Sequence, residues 1–147
     1  MKIHQLAALF LILVTIPAGA ATWLTDYDQA VKTAAEQKKP LLIEFGGSDW
    51  CVKCKRLKTE VFDTEEFQKY ANASLVLLSI DFPAYHKLPG AQQEANDRLR
   101  LKFKVEEFPA LFLIGPKGEV IRRFGYTSGG PKEFIAKLKP AQSRGKP

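Results

Sequence analysis

The chain has 147 residues, a formal net charge of +6 at pH 7, and two cysteines. Its length suits one domain with its own core. The basic surplus is scattered, with no stripe of cations interleaved with aromatics, which argues against a nucleic-acid binder and leaves at most an attraction to acidic partners.

Lys2 supplies a small positive region, Leu6 to Ile16 an apolar run broken only by Thr15, and Pro17 to Ala21 a set of small residues. The run is short for a bilayer span and carries the flanks of a secretory signal over residues 1–20, cut after Ala20 or Ala21. The competing reading is an uncleaved anchor. No cysteine follows the run, so a lipoprotein anchor is not expected. Without Lys2 the charge falls from +6 to +5.

Residues 21–140 are expected to form the domain. Thr25 to Lys38 predicts an amphipathic helix, capped by Thr25 or Asp26, with Ala30, Val31, Ala34 and Ala35 as its apolar stripe and Pro40 as its stop. Leu41 to Phe45 has the length and character of a buried strand, and Gly46 to Asp49 reads as a loop. A helix follows from Cys51 to near Phe62. Asp63-Thr64-Glu65-Glu66 has the form of a second start, with Asp63 as cap and Glu66 three residues on, running through Tyr70.

Leu75 to Asp81 predicts another buried strand, and Phe82 to Gly90, with Pro83 and Pro89, a loop. Ala91 to Phe103 predicts a helix facing Ala95, Leu99 and Phe103 inward. Pro109 to Gly115 and Glu119 to Tyr126 read as a hairpin about Gly115-Pro116-Lys117-Gly118. Pro131 opens a last amphipathic helix, with Phe134, Ile135 and Leu138 inward and Pro140 at its end. Residues 141–147 read as a disordered basic tail. Strands joined through helices imply parallel pairing and the hairpin adds antiparallel strands. The expected class is therefore α/β, a mixed central sheet with helices on both faces.

Cys51 and Cys54 carry the chemistry. At i and i+3 on a helix's first turn they share a face, within reach of a disulfide. The loop they close is too short to constrain the unfolded chain much, so a bond that opens and closes in use explains the pair better than a staple does. Two cysteines with neither a second pair nor a nearby histidine cannot complete four metal ligands, and neither metal nor cofactor is expected.

Trp-Cys-x-x-Cys after a buried strand, Phe108-Pro109 opening the hairpin and the element order together resemble the thioredoxin-fold family over roughly Trp23 to Lys139. Gly47 to Lys55 and Val61 to Thr64 resemble its exported bacterial members. These include the reductase domain that ends the transmembrane thiol:disulfide interchange proteins, and the small periplasmic oxidoreductases described from chlamydiae. The resemblance implies a periplasmic thiol–disulfide oxidoreductase, more in keeping with a reductase, which acts on protein disulfides and draws electrons from a membrane reductase. A monomer is expected, since no dimerisation segment is visible.

Cys51 is then the nucleophile, expected at the exposed helix N-terminus where the dipole and Lys53, Lys55 and Arg56 favour its thiolate and Asp49 opposes them. Cys54 resolves the mixed disulfide. By resemblance Pro109 is a cis-proline beside the dithiol, and the backbone of Phe108 pairs with substrate; the plain alternative is a trans proline at a strand start. The Phe108 side chain is either a substrate contact or core, and Trp50 either packs over the dithiol or meets substrate.

Glu44, among Leu41, Leu42, Ile43 and Phe45, is either a buried acid relaying the proton of Cys54 or a solvated charge. Lys53 either stabilises the thiolate or is solvated. Lys58 stands where the reductase domain has a second acid. Tyr85 and Tyr126 are groove candidates, and His86 reads as a lone surface histidine. An oxidase or isomerase, and a non-catalytic peptide clamp, are the competing functions.

Overall fold

The computed structural model describes residues 19–139, so the expected signal segment, apart from Gly19 and Ala20, and the expected tail lie outside the described residues. The five strands are β1 (Trp23–Leu24), β2 (Leu41–Gly46), β3 (Val76–Asp81), β4 (Ala110–Ile114) and β5 (Val120–Phe124). The helices are α1 (Tyr27–Gln37), α2 (Val52–Leu57), α3 (Glu65–Ser74), α4 (Gly90–Lys102) and α5 (Gly130–Leu138), and a π-helical stretch, Lys58–Phe62, extends α2.

One sheet runs in the order β1-β3-β2-β4-β5, with β1 and β2 parallel to β3 and β4 antiparallel to both β2 and β5. The mixed sheet thus forms as expected. The two-residue edge strand β1 is an addition, too short to leave a periodic signal.

β2 is central, and alternation along it sorts the core into two layers. Leu41, Ile43 and Phe45 join Ala30 and Ala34 of α1 and Phe112 of β4 on one face. Leu42 joins Leu57, Phe62, Phe67, Phe134 and Leu138 on the other. Glu44, two residues from Leu42, belongs to this second face, the face of the dithiol helix. Phe134 of α5 contacts Phe62, Phe67 and Phe124 with ring centroids 5.5, 5.7 and 5.5 Å apart, which ties α5 to the dithiol helix, to α3 and to β5.

Local boundaries follow side-chain chemistry. Asp26, one of the two expected caps, accepts the Gln29 N–H at 2.7 Å and starts α1. Val31 and Ala35 of the expected stripe face solvent, because Ala30 and Ala34, with Tyr27 beside them, fill the narrow contact with the sheet. Thr64, not Asp63, caps α3 through its hydroxyl, and α3 runs on to Ser74; the Asp63 carboxylate is held instead by Lys58 Nζ, at 2.6 and 2.7 Å from its two oxygens. The hairpin closes with Gly118 donating to the Gly115 carbonyl at 2.9 Å, and its φ of 86° suits glycine.

Inward-facing α4 is anchored by a polar group. Asn96 is 2% exposed, donates to the Asp81 carbonyl at 2.8 Å and accepts from Gln92 at 2.8 Å. Leu99 and Phe103 pack against the same layer while half-buried, as is Ala95. Among the described residues no helix is long and apolar enough to cross a membrane.

Candidate active site

Cys51 is the N-cap of α2 and Cys54 lies on its first turn, and the two are disulfide-bonded with Cα atoms 5.2 Å apart. Gly47 accepts the Cys51 N–H at 2.9 Å, and Cys51 Sγ accepts the Cys54 N–H at 3.2 Å. The expectation of an exposed Cys51 is corrected: it is 5% exposed and Cys54 7%. The reason is local, since bonding to Cys54 Sγ and to the Cys54 N–H turns the Cys51 sulfur into the turn instead of outward.

Glu44 reaches the same neighbourhood from β2. It pairs in register with Ser79 of β3, whose hydroxyl donates to its carboxylate at 3.3 Å. Its carboxyl folds back over Gly46, filling the space a Cβ there would need. Burial pushes the Glu44 carboxyl up from an ordinary 4.5 to about 7; the Ser79 bond opposes this and the Asp81 charge adds to it. Glu44 is half-buried, and a raised carboxyl is what the first of its two readings, a shielded acid, entails. Glu44, Cys54 and Asp81 line one cavity of about 510 Å³.

The loop before the dithiol is tied to the β3–α4 connection. Asp81 accepts from the backbone N–H and hydroxyl of Ser48, at 2.8 and 2.6 Å. Asp49 accepts from the N–H groups of Ala84 and Tyr85, at 2.9 and 2.8 Å, and lies 3.1 Å from His86 Nδ1. Partial desolvation works to raise its pKa, but these hydrogen bonds together outweigh it and hold the carboxyl below its ordinary value. Asp49 therefore faces the loop rather than opposing the cations beside the cysteines, and His86 is an exposed histidine with a partner, not a lone one. The sequence signal for both was weak, because 37 residues separate the pair.

Trp50 completes this link. Its indole N–H donates to the Phe82 carbonyl at 2.7 Å, its ring lies against Gly47, and it meets Phe108 edge to face with centroids 5.8 Å apart. That contact brings the β3–α4 loop and the start of the hairpin to the dithiol. Phe108 is half-buried, also stacks on Phe82, and carries the Arg100 guanidinium 5.5 Å from its centroid. The Phe108–Pro109 peptide bond is cis, and Pro109 is buried.

The expected positive field is partly committed elsewhere. Lys55 donates to the Asp49 carbonyl at 2.7 Å, Arg56 pairs with Glu60 at 2.9 Å, and Lys53 is exposed. Tyr126 donates to Glu60 at 2.6 Å, which occupies one of the groove tyrosines, whereas Tyr85 is exposed. Among the described residues no three metal-ligating side chains converge.

A closed Cys-x-x-Cys on the first turn of a helix that follows the central strand of a mixed sheet, with an acid lining the same cavity as its second cysteine, defines a dithiol oxidoreductase of the thioredoxin fold. The thioredoxin-like family model matches residues 22–116, and the chain belongs to that family. It is 32% identical over 129 residues to a Chlamydia pneumoniae protein named disulfide bond reductase DsbH, covering 86% of this chain and 77% of that one.

The solved structure of a DsbH oxidoreductase superposes with a TM-score of 0.77 at 28% identity, over 93% of this chain and 92% of that one. The reduced C-terminal domain of Neisseria meningitidis DsbD shares the fold, with a TM-score of 0.59 at 18% identity, over 76% and 90% of the two chains.

Proposed function

We propose that this chain is an exported protein-disulfide reductase that exchanges dithiol for disulfide through Cys51 and Cys54. The observation that carries this is the closed Cys51–Cys54 pair sharing its surroundings with a carboxyl poised near neutrality. The name of the 32%-identical relative, a disulfide bond reductase, supports the reducing direction. The apolar run Leu6–Ile16 and the small residues that follow support export to the periplasm.

Cys51, at the helix N-terminus, attacks the substrate disulfide as a thiolate. The substrate segment lies along Phe108 and Pro109, with Trp50 and the Phe108 ring as its apolar contacts. Cys54 then attacks Cys51 Sγ and releases the reduced substrate, and Glu44 takes the Cys54 proton as it does so. A base with a pKa near 7 is matched to that transfer at neutral pH. Lys53, beside the emerging Cys51 thiolate, adds favourable charge. The oxidised protein is returned to the dithiol by a membrane reductase, and the chain works as a monomer.

Cys54→Ser is expected to accumulate mixed disulfides with exported proteins, and Cys51→Ser to abolish turnover. A variant that traps nothing while partner binding survives in Cys51→Ser would make the fold a peptide clamp. The reduction potential tests direction. A value near roughly −270 mV fits a reductase, whereas one near roughly −120 mV makes the protein an oxidant.

A further inference from the structure

The dithiol and the Phe108–Pro109 edge belong to distant parts of the chain, and exchange at Cys51 with a substrate laid on that edge depends on how the two are held apart. Trp50 makes one link between them, through the Phe108 ring. A second link runs through side chains that the exchange itself does not use.

Arg56 follows Cys54 by two residues on α2, and Glu60 lies in the π-helical stretch that extends it. One Glu60 carboxylate oxygen accepts from Arg56 Nε at 2.9 Å, and the other accepts from the Tyr126 hydroxyl at 2.6 Å. The Arg56 guanidinium lies over the Tyr126 ring, 5.1 Å from its centroid, so the three side chains form a closed set. An exposed Arg–Glu pair one helical turn apart contributes little by itself. The Tyr126 bond differs, because it is partly buried, charge-assisted and joins residues 66 positions apart. That bond first, and the Arg56 bond after it, hold the Glu60 carboxyl below its ordinary value.

Tyr126 stands just past the end of β5. Leu111 faces Phe124 across the β4–β5 pair, and the same register continued by two residues sets Tyr126 opposite Pro109. The approach is close, since a Cβ on Gly125 would stand 3.5 Å from the Pro109 carbonyl oxygen. α5 holds the same segment through Lys137 Nζ, which donates to the Thr127 hydroxyl at 3.1 Å. Glu60 therefore ties the helix that carries both sulfurs to the chain that borders Phe108 and Pro109.

We propose that Glu60 and Tyr126 are positioning residues that fix the dithiol helix against the Phe108–Pro109 edge, and so favour disulfides within a polypeptide over small disulfides. The inference deepens the function proposed above and rests on it for the place of the substrate. A polypeptide lying along that edge presents its sulfur to Cys51 at a spacing this latch sets. A small disulfide reaches Cys51 from solution without the edge, so the spacing does not govern it.

The dithiol form of the full chain is mixed with insulin or with hydroxyethyl disulfide, and its oxidation is followed by acid quench and alkylation. Tyr126→Phe keeps the ring against Arg56 and removes only the hydroxyl, whereas Glu60→Ala removes both bonds. Each is expected to lower the second-order rate constant for insulin about tenfold and to leave that for hydroxyethyl disulfide within about twofold of the parent. A merely structural role moves both constants or neither, and either result overturns the proposal. The double variant is expected to lose no more on insulin than Glu60→Ala alone; losses that multiply overturn the link between the two side chains.

If the parent oxidises polypeptides instead of reducing them, the same ratio is read with reduced ribonuclease against 2-mercaptoethanol. A ratio that shifts in the variants then leaves this inference standing while the reducing function fails. A parent that reduces insulin, with variants that keep its ratio, leaves that function standing and overturns this inference. A parent that acts on polypeptides in neither direction overturns both.

Discussion

Glu44→Gln removes a titrating carboxyl from the second face of the sheet while keeping its shape and the capacity to accept from Ser79. In the folded chain this acid binds its proton more tightly than in the unfolded one, with a pKa raised from 4.5 to about 7 by burial above all. Its contribution to stability is therefore fully present below pH 4.5 and lost as the pH rises through 7, where the native state has to carry the charge. The shift corresponds to about 3 kcal/mol between the two limits, as an upper value for a side chain at the wall of a cavity.

Urea unfolding of the oxidised protein from pH 5 to pH 9 reads this directly. The difference in unfolding free energy, variant minus parent, is expected to climb by about 2–3 kcal/mol over that range, in the variant's favour at high pH, as the parent loses stability and the variant does not. Subtracting the two series removes every other titrating group. A difference that stays flat would refute the desolvated, proton-binding Glu44. In the same variant, resolution of a mixed disulfide at Cys51 is expected to slow at neutral pH and to recover as the pH approaches that at which Cys54 ionises unaided.

Three further perturbations separate packing from polar anchoring and from loop tethering. Asn96→Leu leaves the partly buried Asp81 carbonyl without the Asn96 donor and is expected to cost about 1–3 kcal/mol in urea midpoint analysis; a neutral result would show that α4 is held by apolar contact alone. Phe134→Ala empties the junction of three aromatic contacts and is expected to cost about 3–5 kcal/mol, with a lowered thermal midpoint by calorimetry. Asp49→Ala frees the Ala84 and Tyr85 N–H groups, so limited proteolysis within the Phe82–Gly90 loop is expected to become several-fold faster, with global stability little changed. Unchanged cleavage would mean that Trp50 and Ser48 tether the loop without it.

Most of the element order was readable because each signal is local. Leu41–Phe45, Leu75–Asp81 and Pro109–Gly115 are apolar runs of strand length, and Asp26, Pro40, Gly118 and Pro131 each act within a few residues of where they stand. Where two local signals competed, the reading failed. Asp63 and Thr64 are both good caps, and the choice went to Thr64 because Lys58, one π-helical turn back, holds Asp63. Val31 and Ala35 satisfied the helical period but not the narrower contact that the sheet presents.

The sequence by itself determined the dithiol. The spacing of Cys51 and Cys54 at the start of a helix places two sulfurs within bonding reach wherever that helix docks, because the geometry is set by the backbone over one turn. It also placed Glu44 on the face of Leu42, since alternation along a strand is a local property. Only the tertiary structure decided that this face is the one receiving the dithiol helix, so that Glu44 and Cys54 line a common cavity and the carboxyl holds its proton to about pH 7. The Asp49–His86 link, the Trp50–Phe108 contact and the burial of Asn96 arose in the same way. Desolvation and hydrogen bonding depend on which distant segments arrive, and no pattern within one segment encodes its neighbours.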